Sequence, residues 1–285
     1  MQSVVRNDSQ FPQSDYYVCL GRGPILEGIN VATSQSPLDL VFEPILLDRF
    51  PLSNHRDMDF PKELSKFCFP LGMKLRVQPT EPTFHEFVLT DVSGINVYGV
   101  AIQFYELLSD FETISMFSVG LDRDFARPVS FPGWVSRGKG SIKVFSPKCI
   151  VLLSHWHFLA EFKSMLEGLL KIAQTRNKDG FCFALEPYVC NIMMEIPLVA
   201  QGPTHVLYRT FGRDLIFRRP SVNRLDVSNL DMVCLLQNIS VANLIELFAH
   251  LLCEGSVVAV SKHLALLTPV CLALRALLWP FSEYL

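Results

Sequence analysis

The chain has 285 residues, of which 49% are hydrophobic and 19% charged, with a formal net charge of -3. This excludes an intrinsically disordered chain and the basic footprint of a nucleic-acid binder, and it fits one large domain or two modest ones. The eight cysteines form no CxxC pair, which excludes a zinc ribbon and points to a reduced compartment.

The opening residues, MQSVVRNDSQ, lack the apolar core of a signal peptide. Tyr16-Tyr-Val-Cys-Leu20 reads as a strand that the turn residues Gly21-Arg-Gly-Pro24 then end. Phe84 to Thr90, and Tyr98, Val100, Ile102 and Phe104 with period-two alternation, flank Asp91-Val-Ser-Gly94, a β-hairpin signal. Phe104, Leu108, Phe111 and Ile114 keep helical spacing and predict a short helix packed back on that hairpin. Residues 118–145 hold Pro128, Pro132, Gly133, Gly138 and Gly140 without a sustained period and read as a linker.

The second half opens on Cys149-Ile-Val-Leu-Leu153, a continuous apolar run expected for a strand covered on both faces. Ser154 is the expected cap of a helix with the core stripe Leu159, Phe162, Leu166, Leu169 and Ala173. A strand followed directly by an amphipathic helix suggests α/β architecture. Tyr188 to Val199 reads as a strand. Ser240 caps a buried helix with the face Val241, Leu244, Ile245, Phe248, Leu251 and Leu252. Ser256-Val-Val-Ala-Val260 reads as a short buried strand. A last helix carries Val270, Leu274, Leu277 and Leu278, with Pro269 near its first turn or kinking it. The apolar stretch Leu264 to Phe281 is interrupted by Pro269 and Arg275. It falls short of the ~20 uninterrupted apolar residues of a spanning helix, so it reads as a core helix.

No constellation of catalytic spacing emerges. Gly21, Gly23 and Gly28 fit neither GxGxxG nor GxxxxGK. His155, His157 and Glu161 lack the HExxH spacing and further ligands of a zinc site, so the histidines read as surface or capping residues. Arg218-Arg219 and Arg137-Gly-Lys139 read as solvated surface. The sequon Asn238-Ile-Ser240 opens the predicted buried helix and is discounted. Cys149, Cys253 and Cys271 lie in apolar runs and read as small buried hydrophobes. No catalytic residue, cofactor or metal ligand is assigned.

The ordered series of short motifs resembles the DENN-domain family. Phe42-Glu-Pro-Ile-Leu46 with Arg49-Phe-Pro51, Phe67-Cys-Phe-Pro-Leu-Gly72, and Phe84 through Tyr105 resemble the family's upstream module. Pro147-Lys-Cys-Ile-Val-Leu-Leu-Ser154, Leu185-Glu-Pro-Tyr188, Glu195-Ile-Pro-Leu198 and Arg219-Pro220 resemble landmarks of the central module. The block from Ile239 to Phe281 resembles its "helix, Leu-Leu-Glu, strand, Ser, helix, Pro-Phe" pattern. One departure is Gly255, where relatives often carry a bulky or basic residue.

The resemblance implies an α/β fold: a longin-like antiparallel sheet with helices, followed by an incomplete α/β central module. The expected boundaries are an upstream module over 14–118, a linker over 119–145 and a central module over 146–285, with the domain continuing beyond Leu285. The implied function is guanine nucleotide exchange on a Rab-type small GTPase in membrane trafficking, without covalent catalysis, with the chain as given a partial DENN domain expected to lack full activity. The alternative is a longin-type trafficking adaptor or scaffold that binds a GTPase without exchange. The expected partner is a Rab-type GTPase and no nucleic acid, with no transmembrane segment, peripheral membrane association through the GTPase, and a cytoplasmic protein recruited to vesicle or endosomal membranes. Asp91, Ser93 and Gly94 at the hairpin turn are the candidate partner-binding residues.

Overall fold

Between Phe145 and Ser154 the chain carries one charged side chain, Lys148. Such a run can be covered on both faces at little desolvation cost. In the computed structural model every residue from Cys149 to Ser154 is buried. The structure describes residues 14–25, 37–55, 59–90, 94–108, 143–175, 184–219, 221 and 232–279.

The elements are β1 (Tyr16–Ile25), a 3-10 turn (Pro37–Asp39), β2 (Val41–Phe50), α1 (Leu64–Cys68), β3 (Met73–Lys74), β4 (Thr83–Thr90), β5 (Asn96–Leu107) and β6 (Phe145–Ser154). They continue as α2 (Leu159–Gln174), α3 (Glu186–Met194), β7 (His205–Thr210), β8 (Arg213–Arg218), α4 (Met232–Asn238), α5 (Val241–Leu252) and α6 (Leu264–Leu277). One six-stranded antiparallel sheet has the order β3-β2-β1-β6-β5-β4, and β7-β8 form a separate hairpin. The fold is therefore mixed α/β, a longin-like sheet followed by a helical and hairpin part.

The chain divides into two compact units. One comprises Val18–Thr83 and Ile102–Ile150. Its core gathers Leu20, Phe42, Leu64, Cys68, Met73, Leu75 and Cys149. Strand β3 pairs with β2 at Val41↔Lys74 and Phe42↔Met73. The Arg22 guanidinium lies 5.2 Å from the Phe42 ring and that of Arg76 5.3 Å from Tyr105, cation–π distances in both cases.

The other unit joins the stretch ending at Tyr17 to Phe84–Ala101 and the chain from Val151 onward. Its core centres on α2, which buries Leu159, Phe162, Met165, Leu166, Leu169 and Leu170. Phe158 and Phe217 meet edge to face at 5.1 Å, and Phe158 and Phe162 do so at 6.0 Å, the favoured geometry for aromatic pairs. Phe211 at the β7-β8 turn has φ 50 and packs over Gly168 of α2. A smaller cluster of Leu235, Val270, Ala273 and Leu274 holds α4 and α6 together, with Leu244, Leu247 and Leu251 of α5 against it.

The hairpin, the β6 strand, α2, α6 and the Ser240 cap match the expectations. Ser240 Oγ accepts the Asn243 N–H at 3.3 Å. In α6, Val270, Leu274 and Leu278 are buried, with Leu277 partly so, and Pro269 lies inside the helix.

Other expectations are corrected. Gly21 and Gly23 do not end β1, which runs to Ile25. A Cβ on Gly21 would fall 2.3 Å from Leu47 Cδ1, so the glycine admits a close neighbour rather than making a turn. Phe104 stays in β5, which reaches Leu107; Phe111 and Ile114 lie outside the described residues. Tyr188 opens no strand: Pro187 at the start of α3 pre-sets a helical first turn. Ser154 does not cap α2, whose N-cap is Phe158 without a side-chain bond. Ser154 Oγ instead accepts the Trp156 N–H at 3.0 Å. Ala173 is only partly buried.

The largest corrections fall on 241–260. Helix α5 buries no residue, and Val241, Ile245 and Leu252 are exposed. The packing residues are Leu244, Leu247 and Leu251: Leu244 and Leu251 belong to the expected stripe, and Leu247 joins them in place of Val241, Ile245 and Leu252. Ser256 to Val260 forms no strand and is exposed. Cys253 and Cys271 are exposed too.

Phe162→Ala should cost about 3–5 kcal/mol, the range for truncating a buried aromatic. Ile245→Ala, at 63% exposure, should stay within about 0.5 kcal/mol. Urea unfolding of the two variants checks the contrast, and equal losses would contradict the assigned helix faces.

Candidate functional site

The described residues offer a buried polar cluster and several exposed surfaces. The polar cluster forms where β6 ends. Asp15 Oδ2 accepts both the His155 backbone N–H at 2.8 Å and His155 Nδ1 at 2.6 Å. The Asp15 N–H donates to the Leu153 carbonyl at 2.7 Å and Ser14 Oγ donates to the same oxygen at 3.3 Å. Side-chain exposure is 6% for His155 and 9% for Asp15, so a substrate has little access to either. The pair resembles a base with its orienting carboxylate, but its burial makes it a clip between the start of β1 and the end of β6.

Its neighbours are equally architectural. The Arg219 guanidinium lies 3.6 Å from the Trp156 ring centroid and Arg219 Nη1 donates to the Val199 carbonyl at 3.0 Å. His157 packs on Tyr98 at 4.8 Å. Of the expected surface or capping roles of His155 and His157, the surface one is thus overturned, as is the reading of Arg219 as solvated. A cation stacked on an indole and hydrogen-bonded to a carbonyl is held at tolerable desolvation cost. Among the described residues no group of three or more His, Cys, Asp or Glu could hold a metal ion.

The thiols are similarly withdrawn. Burial pushes Cys19 up to about 11, with the Lys148 charge pulling the other way. Burial, then the neighbouring Cys68 thiol, pushes Cys149 well above its ordinary value. A thiol so raised carries little thiolate at neutral pH and is a poor nucleophile.

The exposed surfaces are of three kinds. At the β4-β5 turn, Asp91 and Ser93 lie outside the described residues. Gly94 has φ +81 with open space around its Cβ position, a backbone that suits glycine. The β7-β8 hairpin turns outward the cross-strand pairs His205↔Arg218, Leu207↔Ile216 and Arg209↔Asp214. Arg209 binds Asp214 through two nitrogens at 2.5 and 2.9 Å, and this pairing holds the Asp214 carboxyl below its usual range. The third kind is apolar. Ile45, Leu46 and Leu47 of β2 are exposed, as are Val233, Leu236, Val241, Ile245, Leu252, Val258 and Val260.

The fold is that of a mixed α/β protein, with a longin-like sheet and a following helical part. Residues 44–104 match the uDENN domain and residues 145–283 match the DENN (AEX-3) domain. The chain belongs to the DENN-domain family. DENN domains are in general exchange modules for Rab-type GTPases in membrane trafficking. No single helix among the described residues is long and apolar enough to cross a membrane, and α4 and α5 meet at a bend of 111°.

Sequence reasoning missed the Asp15–His155 clip, since its partners are 140 residues apart and neither sits in a recognisable motif. Asp15→Ala should cost about 1–3 kcal/mol by leaving two buried His155 donors short of an acceptor. Faster hydrogen exchange at the His155 amide should accompany the loss. In a second test, iodoacetamide at pH 8 should modify exposed Cys190 and Cys253 first. Labelling of Cys19 should rise only as pH climbs toward its value of about 11; peptide mass spectrometry reads the order.

Proposed function

We propose that this chain acts on a Rab-type small GTPase as a guanine nucleotide exchange module in vesicle trafficking. The observation that supports this reading is the order of two domain matches, uDENN over 44–104 and then DENN over 145–283. In this reading, residues 14–118 are the upstream module, 119–145 the linker and 146–285 the central module. The GTPase recruits the protein from the cytoplasm to vesicle or endosomal membranes.

Exchange of this kind needs no acid, base or nucleophile. It requires only that the module bind the nucleotide-free GTPase more tightly than the GDP-bound state. A factor of ten in that preference corresponds to about 1.4 kcal/mol, which a few surface contacts can supply. The β4-β5 turn, with Asp91, Ser93 and Gly94, is proposed to lie within that contact.

The test is release of a fluorescent GDP analogue from a panel of Rabs, with and without the protein. Accelerated release from at least one Rab is the expected result, and Asp91→Arg should weaken it while leaving thermal unfolding unchanged. Nucleotide-independent binding without acceleration would replace this reading by the adaptor one.

A further inference from the structure

Cys68 closes α1 and Cys149 lies within β6, and both are 0% exposed. They belong to one compact unit, Val18–Thr83 with Ile102–Ile150. The backbone brings them together from two sides. Strands β5 and β6 are neighbours in the antiparallel sheet, and the Leu108 N–H donates to the Val144 carbonyl at 2.9 Å. In an antiparallel ladder this register sets Gln103 of β5 opposite Cys149, with both side chains on one face. The Gln103 side chain donates to the Cys68 carbonyl, so the C-terminal end of α1 is tied down over that face. There the two thiols hydrogen-bond to each other, and Cys149 Sγ also donates to the Ile150 carbonyl at 3.8 Å.

Two features distinguish this pair from ordinary small buried hydrophobes. Sulfurs in hydrogen-bonding contact need only a short approach to bond, with no rearrangement of the strands. The element that carries one of them, α1, is a helix of five residues. A helix so short is not stable by itself, so it can lift from the sheet while β6 stays folded. Lifting admits solvent and oxidant to the thiols, and closing returns them to contact.

We propose that Cys68 and Cys149 form a redox-sensitive pair, which a hydroperoxide converts to a disulfide that staples α1 to β6. One thiol loses its proton and its thiolate attacks a peroxide oxygen. The O–O bond breaks, a sulfenic acid forms and hydroxide leaves. The second thiolate attacks that sulfur, the S–S bond forms and the S–O bond breaks, releasing a second hydroxide. The two protons given up by the thiols turn the hydroxides into water. Two thiols are thus oxidised by two electrons while one peroxide is reduced to two waters. Burial keeps Cys149 in its thiol form, so the closed protein is protected and the first attack waits on opening of α1. In a reducing compartment such a bond is transient and reports oxidant. Once closed, it restricts the unfolded chain and so stabilises the unit.

The test exposes the whole chain to hydrogen peroxide, blocks the remaining thiols with N-ethylmaleimide in urea, and maps disulfides by peptide mass spectrometry without reduction. A Cys68–Cys149 peptide is expected, formed within one chain and lost on adding dithiothreitol. The thermal midpoint of unfolding should rise with it and fall back on reduction. Urea below the unfolding transition should speed its formation by loosening α1. Cys68→Ala should abolish both the peptide and the rise in midpoint, and Cys149→Ser repeats the test from the other side. Free thiols at Cys68 and Cys149 after peroxide has oxidised the exposed Cys190 would overturn the proposal. So would a disulfide of either residue with another cysteine, or a rise in midpoint that survives in both variants.

Discussion

Burial of β6 on both faces is the constraint on which the rest of the described structure depends. Six consecutive residues from Cys149 to Ser154 are removed from water, and apolar burial is the dominant favourable term in folding. Each such residue must find neighbours on two sides. Strands β1 and β5 flank β6 in the sheet, and Phe158 and α2 follow it directly in sequence. The end of the strand is where the burial could fail, because backbone groups there lose their ladder partners. Asp15 meets that need by accepting two donors from His155 and donating its own N–H to Leu153.

The interior and the surface follow different logics. Inside, Arg219 lies on Trp156 and donates to Val199, and Thr268 Oγ1 donates to the Glu86 carbonyl at 2.7 Å. Thiols there are held protonated by burial. Outside, between Met232 and Val260, the pattern inverts. Valine and leucine side chains are bare while the packing faces of α4, α5 and α6 are small.

The region 241–260 shows how a sequence pattern can be read correctly as chemistry and wrongly as burial. Val257 to Val260 has strand composition, and α5 has helical periodicity. Both suggest apolar contact. Neither says whether the contact lies within the chain or with a second one, because hydrophobic attraction has no direction and no label for its partner. In α5 the apolar residues occupy more than one face, so composition cannot choose between Leu244, Leu247 and Leu251, which pack, and Val241, Ile245 and Leu252, which do not.

What the sequence determined by itself was local. The β4-β5 hairpin was legible because alternation and a glycine turn act within a few residues. The α2 stripe and the Ser240 cap were legible because they rest on helical spacing and one side-chain bond three residues away. The family was legible because its motifs are short, ordered and contiguous. Tertiary structure alone decided the rest. It kept Gly21 in a strand because Leu47 comes close. It drew Asp15 to His155 across 140 residues and turned Arg219 from a surface cation into a buried one against Trp156. It left Val258 bare while burying Val151. Both are valines in apolar runs; only the backbone and side chains that pack around each run, brought there from distant sequence, decide which of them leaves water.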